Sequence, residues 1–99
     1  MYKICKNDIM NFEWDESKSN SNKIKHGIDF ETAKNIFLDE NRIEIIAPYP
    51  IENRFITIGK LNRKLWTVIF TIRGNAIRII SARRSRKKEV KLYEEKYFN

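Results

Sequence analysis

From position 43 onward the chain changes its hydrophobic period, and that change constrains the fold more than any other feature. β-Branched and aromatic residues gather in four runs, 43–47, 54–60, 64–72 and 76–83, separated by PYPIEN, KLNRK and RGN. Runs of this length between Gly-, Pro- and Asn-containing breaks read as strands, and breaks this short join them as antiparallel neighbours. A four-stranded antiparallel sheet is the expectation. RGN at 73–75 is the firmest turn, because Gly74 and Asn75 both tolerate positive φ.

Upstream of the sheet the punctuation is helical. FEWD at 12–15 reads as a short strand ending in Asp15, which caps a helix to about Lys25, with Glu16 at its positive end and Gly27 as its stop. Ser17, Ser19, Asn20, Ser21, Asn22 and the lysines leave that helix almost no apolar stripe beyond Ile24, so its neighbours or a ligand must hold it. A second helix is predicted from the Asp29 cap, with Phe30, Ala33 and Phe37 at i, i+3 and i+7 and Ile36 widening the stripe. The tail turns helical again, placing Val90, Tyr93 and Tyr97 on one side. Ser85 is its candidate cap, and Lys88 three residues on does not complete a capping box. Two helices, four strands and a C-terminal helix make an α+β fold. Three short helices cannot cover both sides of such a sheet, so one face stays partly open.

With 99 residues and no linker-like stretch, the chain makes one domain. Cys5 is the single cysteine, without partners for a disulfide or a metal site, which fits a reducing cytoplasm. No signal peptide or apolar membrane span is read, so a soluble, cytoplasmic protein without a membrane partner is expected. The charge is strongly asymmetric. Residues 1–53 hold seven Lys/Arg against ten Asp/Glu, a net of −3, whereas 54–99 hold thirteen against three, a net of +10. The second half therefore either meets a polyanion or presents a solvated basic face.

Strict alternation along 76–83 puts Ile77, Ile79, Ser81 and Arg83 on one side and Arg78, Ile80, Ala82 and Arg84 on the other. His26, the only histidine, sits at a predicted helix C-terminus. The dipole there favours its charged form and neighbouring lysines oppose it, leaving a ring able to titrate near neutrality. It is either a helix-end hydrogen-bonding group or a functional one, a general acid or base or a phosphate ligand. RNA cleavage suits such a residue set, because the 2′-hydroxyl itself can attack phosphorus. The protein must then move two protons and neutralise the phosphate. Arg78, Arg83 and Arg84 offer planar bidentate donors for that purpose, with lysines as point charges. Trp14, Trp66, Tyr49, Phe55 and Phe70 read mainly as core, with Trp14 the first choice for a base-stacking platform. No glycine-rich phosphate loop, paired metal-binding carboxylates or Cys/His cluster is found, so no cofactor or metal is expected. A non-catalytic nucleic-acid-binding or interaction module is the alternative.

The residues named so far also carry a resemblance. FEWDESKSNSNKIKHGIDFETA at 12–33, RFITIG at 54–59 and IRIISARRSRKKEVKLYEE at 77–95 resemble the BrnT family of toxins. The resemblance implies a RelE-like ribonuclease fold over 12–99, with 1–11 as an N-terminal extension, since such proteins commonly begin near Met10. It implies a type II toxin that cleaves RNA and inhibits translation. A BrnA-like antitoxin would neutralise it, two toxins with two antitoxins, and would alone contact operator DNA. Site residues under this reading are His26, Lys25, Arg83 and Arg84 for catalysis, and Arg78, Ser81, Lys18 and Arg86 for the RNA phosphates. Asp29 departs from the family pattern, which often has a small hydroxyl residue there, but remains a good cap.

Overall fold

The structure, a computed structural model, describes residues 11–47 and 52–98, with side chains to 96. Cys5, Tyr49, most of the extension and part of the PYPIEN loop lie outside the described residues, as does the side chain of Tyr97. In chain order the elements are β1 (Asn11–Glu13), α1 (Glu16–His26), α2 (Phe30–Ala33), a 3-10 segment (Lys34–Leu38), β2 (Ile43–Ala47), β3 (Arg54–Leu61), β4 (Lys64–Arg73), β5 (Ala76–Arg84) and α3 (Lys87–Phe98).

The α+β class and the four long strands are found, but the sheet is five-stranded and mixed, in the order β1-β5-β4-β3-β2. The added strand is β1, which runs parallel to β5 with Phe12 opposite Ile77 and Glu13 opposite Arg78. FEWD reads as a short strand, and one is found there, but its pairing partner lies far along the chain and so does not show in the local pattern. What holds the strand is tertiary: Phe12 packs against the core and Glu13 meets Arg78 at 3.0 Å.

Local chemistry explains the helices. Asp15 Oδ1 accepts from Ser17 N at 2.8 Å and Lys18 N at 3.3 Å, starting α1. Gly27, at φ 80°, ends it by donating its N–H to Lys23 O, a left-handed cap that a Cβ would strain. Asp29 caps α2 through Thr32 N at 2.8 Å. The single helix expected beyond that cap is corrected, because after one α-turn the chain winds into the 3-10 segment. At three residues per turn, Ala33 and Ile36 line up on the sheet, and both are fully buried. Ile24, the expected apolar contact of α1, is instead 88% exposed, and the buried side of that helix is Ser19 and Asn22.

Nine residues, among them Phe30, Ile36, Phe37, Val68, Phe70, Ile79 and Ala82, form the main core between the sheet and α2 with its 3-10 extension. A ladder of rings, Phe12–Phe37 at 5.2 Å, Phe37–Phe70 at 5.2 Å and Phe70–Phe55 at 5.5 Å, runs through it. Gly59 makes the close approach possible. A Cβ there would lie 2.7 Å from Ile36 Cγ2 and 3.0 Å from Ile36 O, so Gly59→Ala is expected to cost about 1–3 kcal/mol, read from the urea midpoint. On the opposite face α3 packs over β2 and β3, where Ile58 and Tyr93 are buried and the Tyr93 hydroxyl donates to Asp39 Oδ2 at 2.7 Å. Among the described residues no helix is long and apolar enough to cross a membrane.

The two hairpins differ. At Asn62–Arg63 both residues have positive φ, 53° and 70°, the pattern of a type I′ turn. In RGN only Gly74 is positive, at 59°, so the expectation for Asn75 does not hold and the turn follows the II′ pattern.

Candidate functional site

Four of the sequence-predicted residues, Arg78, Ser81, Arg83 and Arg84, lie on β5, and a single irregularity decides how they face. A bulge shifts the β4–β5 register between Ile69 and Phe70, so Ser81 lies opposite Ile69 while Ile79 lies opposite Phe70. The extra residue resets the alternation. Arg78, opposite Thr71, therefore shares a face with Ser81 and Arg83, whereas Arg84, opposite Trp66, shares the core face with Ala82 and Ile79. The placement of Arg78 corrects the strict alternation read from the sequence, whereas Arg84 sits beside Ala82 as read and only its company with Ile79 is new. Arg83 and Arg84 do not point to the same side.

β1 covers the outer edge of β5 only at 76–78. Beyond it α1 takes over, with Asn22 in the role of a missing strand. Its Nδ2 donates to Ala82 O and Ile28 O, both at 2.8 Å, and its Oδ1 accepts from Ala82 N at 3.3 Å. Ser19 Oγ accepts from Phe30 N at 2.9 Å on the same side of the helix. This polar seam docks a helix without an apolar stripe. His26, four residues beyond Asn22, is half-buried, while Lys18 and Lys25 are exposed.

Arg83 is the most tightly held of the predicted cations. Its Nη1 and Nη2 meet Glu89 Oε1 and Oε2, each at 2.8 Å, and both side chains are only 17% exposed. Glu89 Oε1 also accepts from Arg86 N at 2.7 Å and Thr67 Oγ1 at 3.0 Å. The Arg83 guanidinium, with help from Arg86 N and Thr67 and against the effect of burial, holds the Glu89 carboxyl down at about 2, from 4.5. Glu89 in turn raises the pKa of Arg83. With the end-on fork occupied by Glu89 and the other Nη1 hydrogen directed at Arg84 O, 3.4 Å away, the side-on fork of Nε–H and the second Nη2–H is left over.

Glu89 was missed in the sequence because the cap of α3 was placed at Ser85. The helix begins at Lys87, so Arg86 is its cap and Glu89 the third helical residue, which reaches back to Arg86 N as a capping box requires. Ser85 instead hydrogen-bonds Thr67 Oγ1 at 2.8 Å. Of the other predicted residues, Arg78 is paired with Glu13 at 3.0 Å, Ser81 is half-buried, and Arg86 is exposed. Exposed Arg84 lies over the Trp66 ring, 5.6 Å from its centroid. Trp14 is half-buried against the core, edge-on to Phe30 at 6.4 Å, with Nε1 donating to Glu16 Oε1 at 3.1 Å.

No curated protein matches the chain. A model of the BrnT ribonuclease toxins of type II toxin–antitoxin systems matches residues 14–89, a span that runs from Trp14 through α1 and strands β2 to β5 to Glu89. The chain thus belongs to the BrnT family, whose members are ribonuclease toxins that act within such two-component systems and are partnered by an antitoxin.

Proposed function

We propose that this protein is a RelE-like, metal-independent endoribonuclease of the cytoplasm that inhibits translation. One observation carries the reading: Arg83 is fixed at the end of β5 by Glu89 with its side-on fork left over. Two parallel N–H donors on a rigid mount are what a phosphate needs for bidentate binding. Ser81 and Arg78 lie on the same face to extend the phosphate site. His26, half-buried, exchanges protons, with Lys25 as a nearby cation and Lys18 one helical face away.

The reaction balances without a cofactor. The substrate's O2′ loses its proton to a base and bonds to phosphorus, the P–O5′ bond breaks, and O5′ takes up a proton, leaving a 2′,3′-cyclic phosphate. Arg83 offsets the charge that builds on the non-bridging oxygens. A BrnA-like antitoxin, two copies with two toxins, would neutralise the protein by covering this face and would carry the contact to operator DNA. Half-buried Ile45, Ile56 and Ile69 form one cross-strand row beside Ser81, which gives such a partner apolar surface next to the cations.

Antitoxin-free protein is expected to cleave RNA in excess EDTA and to leave cyclic phosphate ends. Arg83→Lys, which keeps the charge and removes the fork, is expected to slow cleavage about 100-fold. A comparable loss is expected for His26→Ala. RNA left intact by folded protein would defeat the reading, in favour of a non-catalytic nucleic-acid-binding module.

A further inference from the structure

The two local rules that this chain breaks at the surface are broken side by side, and each time a cation is what the fold retains. At the β3–β4 hairpin, the second residue of the type I′ turn is Arg63 at φ 70°, a position where glycine is the favoured residue. At the start of α3, Lys87 and Lys88 occupy the first turn, where the helix dipole disfavours positive charge. These sites meet at one end of the sheet: Ser85 N donates to Leu65 O at 3.0 Å, and Arg84 pairs with Trp66. Arg63, Lys64, Arg84, Arg86, Lys87 and Lys88 are all exposed there, and neither 60–66 nor 84–88 contains an acid. Departures from local preference that lower stability are retained where function requires them.

We infer that this end of the sheet is a second RNA-binding ledge, on which phosphates of a single strand lie along Arg63, Lys64, Arg86 and Lys87 while a nucleobase stacks on Arg84. The arginine is suited to that task because one face of its guanidinium rests on Trp66 and the side chain is otherwise exposed. Bases stack readily on guanidinium planes, and such contacts are indifferent to sequence. The ledge's stacking residue, Arg84, lies on the face of β5 opposite the Arg83 fork, while Arg86 and Lys87 open the helix whose Glu89 holds that fork. The substrate class of the ledge rests on the ribonuclease reading. It would hold the strand that leaves the cleavage site.

The test is a trade of stability against binding. Arg63→Gly and Lys87→Gln each remove one charge together with a local cost, so both variants are expected to melt a few degrees higher than wild type. Both should bind a short single-stranded 2′-O-methyl oligoribonucleotide several-fold more weakly, with the salt slope reduced by about 0.7 for each cation removed. Arg84→Lys should weaken binding with little change of slope, because it keeps the charge and loses the stack. Arg73→Gln, the same charge change about 30 Å away along β4, should leave affinity and slope close to wild type. Unchanged affinity and slope in both Arg63→Gly and Lys87→Gln would overturn the ledge, as would a loss confined to the binding of an acidic antitoxin segment. The oligonucleotide cannot be cut. Wild type that binds it but never cleaves ordinary RNA would defeat the catalytic reading alone, and cleavage without dependence on these cations would defeat the ledge alone.

Discussion

Glu89→Ala is expected to lower the melting temperature by about 10–20 °C and to abolish RNA cleavage in whatever protein remains folded. The stability loss follows from what the carboxylate holds. It receives both end-on donors of Arg83, the Arg86 N–H at the start of α3 and the hydroxyl of buried Thr67. Removing it leaves a guanidinium that is only 17% exposed without its counter-ion, and leaves a helix without its cap. Together these cost about 2–4 kcal/mol, the upper part of that range being reserved for fully buried pairs.

Acid should reproduce part of this effect. Because the folded value of Glu89, about 2, lies below the ordinary 4.5, its contribution is complete above the ordinary value. It is lost as pH falls through 4.5 towards 2. The stability difference between wild type and Glu89→Ala, from urea midpoints across pH, should therefore be flat near neutrality and shrink in acid. A difference independent of pH would mean that packing, not the charge pair, is what the alanine removes. Glu89→Gln separates fold from function. It can still accept from Arg86 and Thr67, so it should recover much of the stability, while a neutral amide no longer fixes the Arg83 fork and cleavage should stay low.

What the sequence made legible was whatever depends on neighbours along the chain. The four long strands, the Asp15 and Asp29 caps and the Gly27 stop are local signals, and each is found where it was read. What escaped depends on distant partners. β1 is read as a short strand at FEWD, but its place as a fifth strand, parallel to β5, is set by a partner far along the chain. The bulge at Ile69/Phe70 leaves no mark in the sequence, since no glycine accompanies it, yet it decides that Arg78 joins Ser81 and Arg83. The candidate residues were therefore found by type, but their grouping was not. Glu89 was one position from recognition: a cap placed at Arg86 instead of Ser85 would have exposed its capping-box spacing. For α1 the lack of an apolar stripe was legible, and its docking through neighbours is found, but which side chains dock it was not: on its buried side Ser19 and Asn22 do so by hydrogen bonds.

That side makes Asn22 the most sensitive position outside the proposed site. Its amide is 93% buried, with a relative exposure of 7%, and two carbonyls, Ile28 O and Ala82 O, depend on its Nδ2 donors. Asn22→Asp changes almost no volume, yet it replaces both donors by an acceptor facing two acceptors. The expected cost is about 3–4 kcal/mol at neutral pH, or a melting temperature lower by more than about 12 °C. Its pH dependence should run opposite to that of Glu89. A carboxyl in this setting titrates above the ordinary carboxylate range, because burial and the carbonyl dipoles both disfavour its charge. The penalty is then full above the folded pKa and eases as pH falls, since the protonated acid donates to one carbonyl. Urea midpoints of Asn22→Asp and wild type should thus converge in mild acid. If they stay equally far apart at every pH, the cost lies in the two lost donors and not in a buried charge, and if they coincide at every pH, the hydrogen-bonded docking of α1 on β5 contributes no stability.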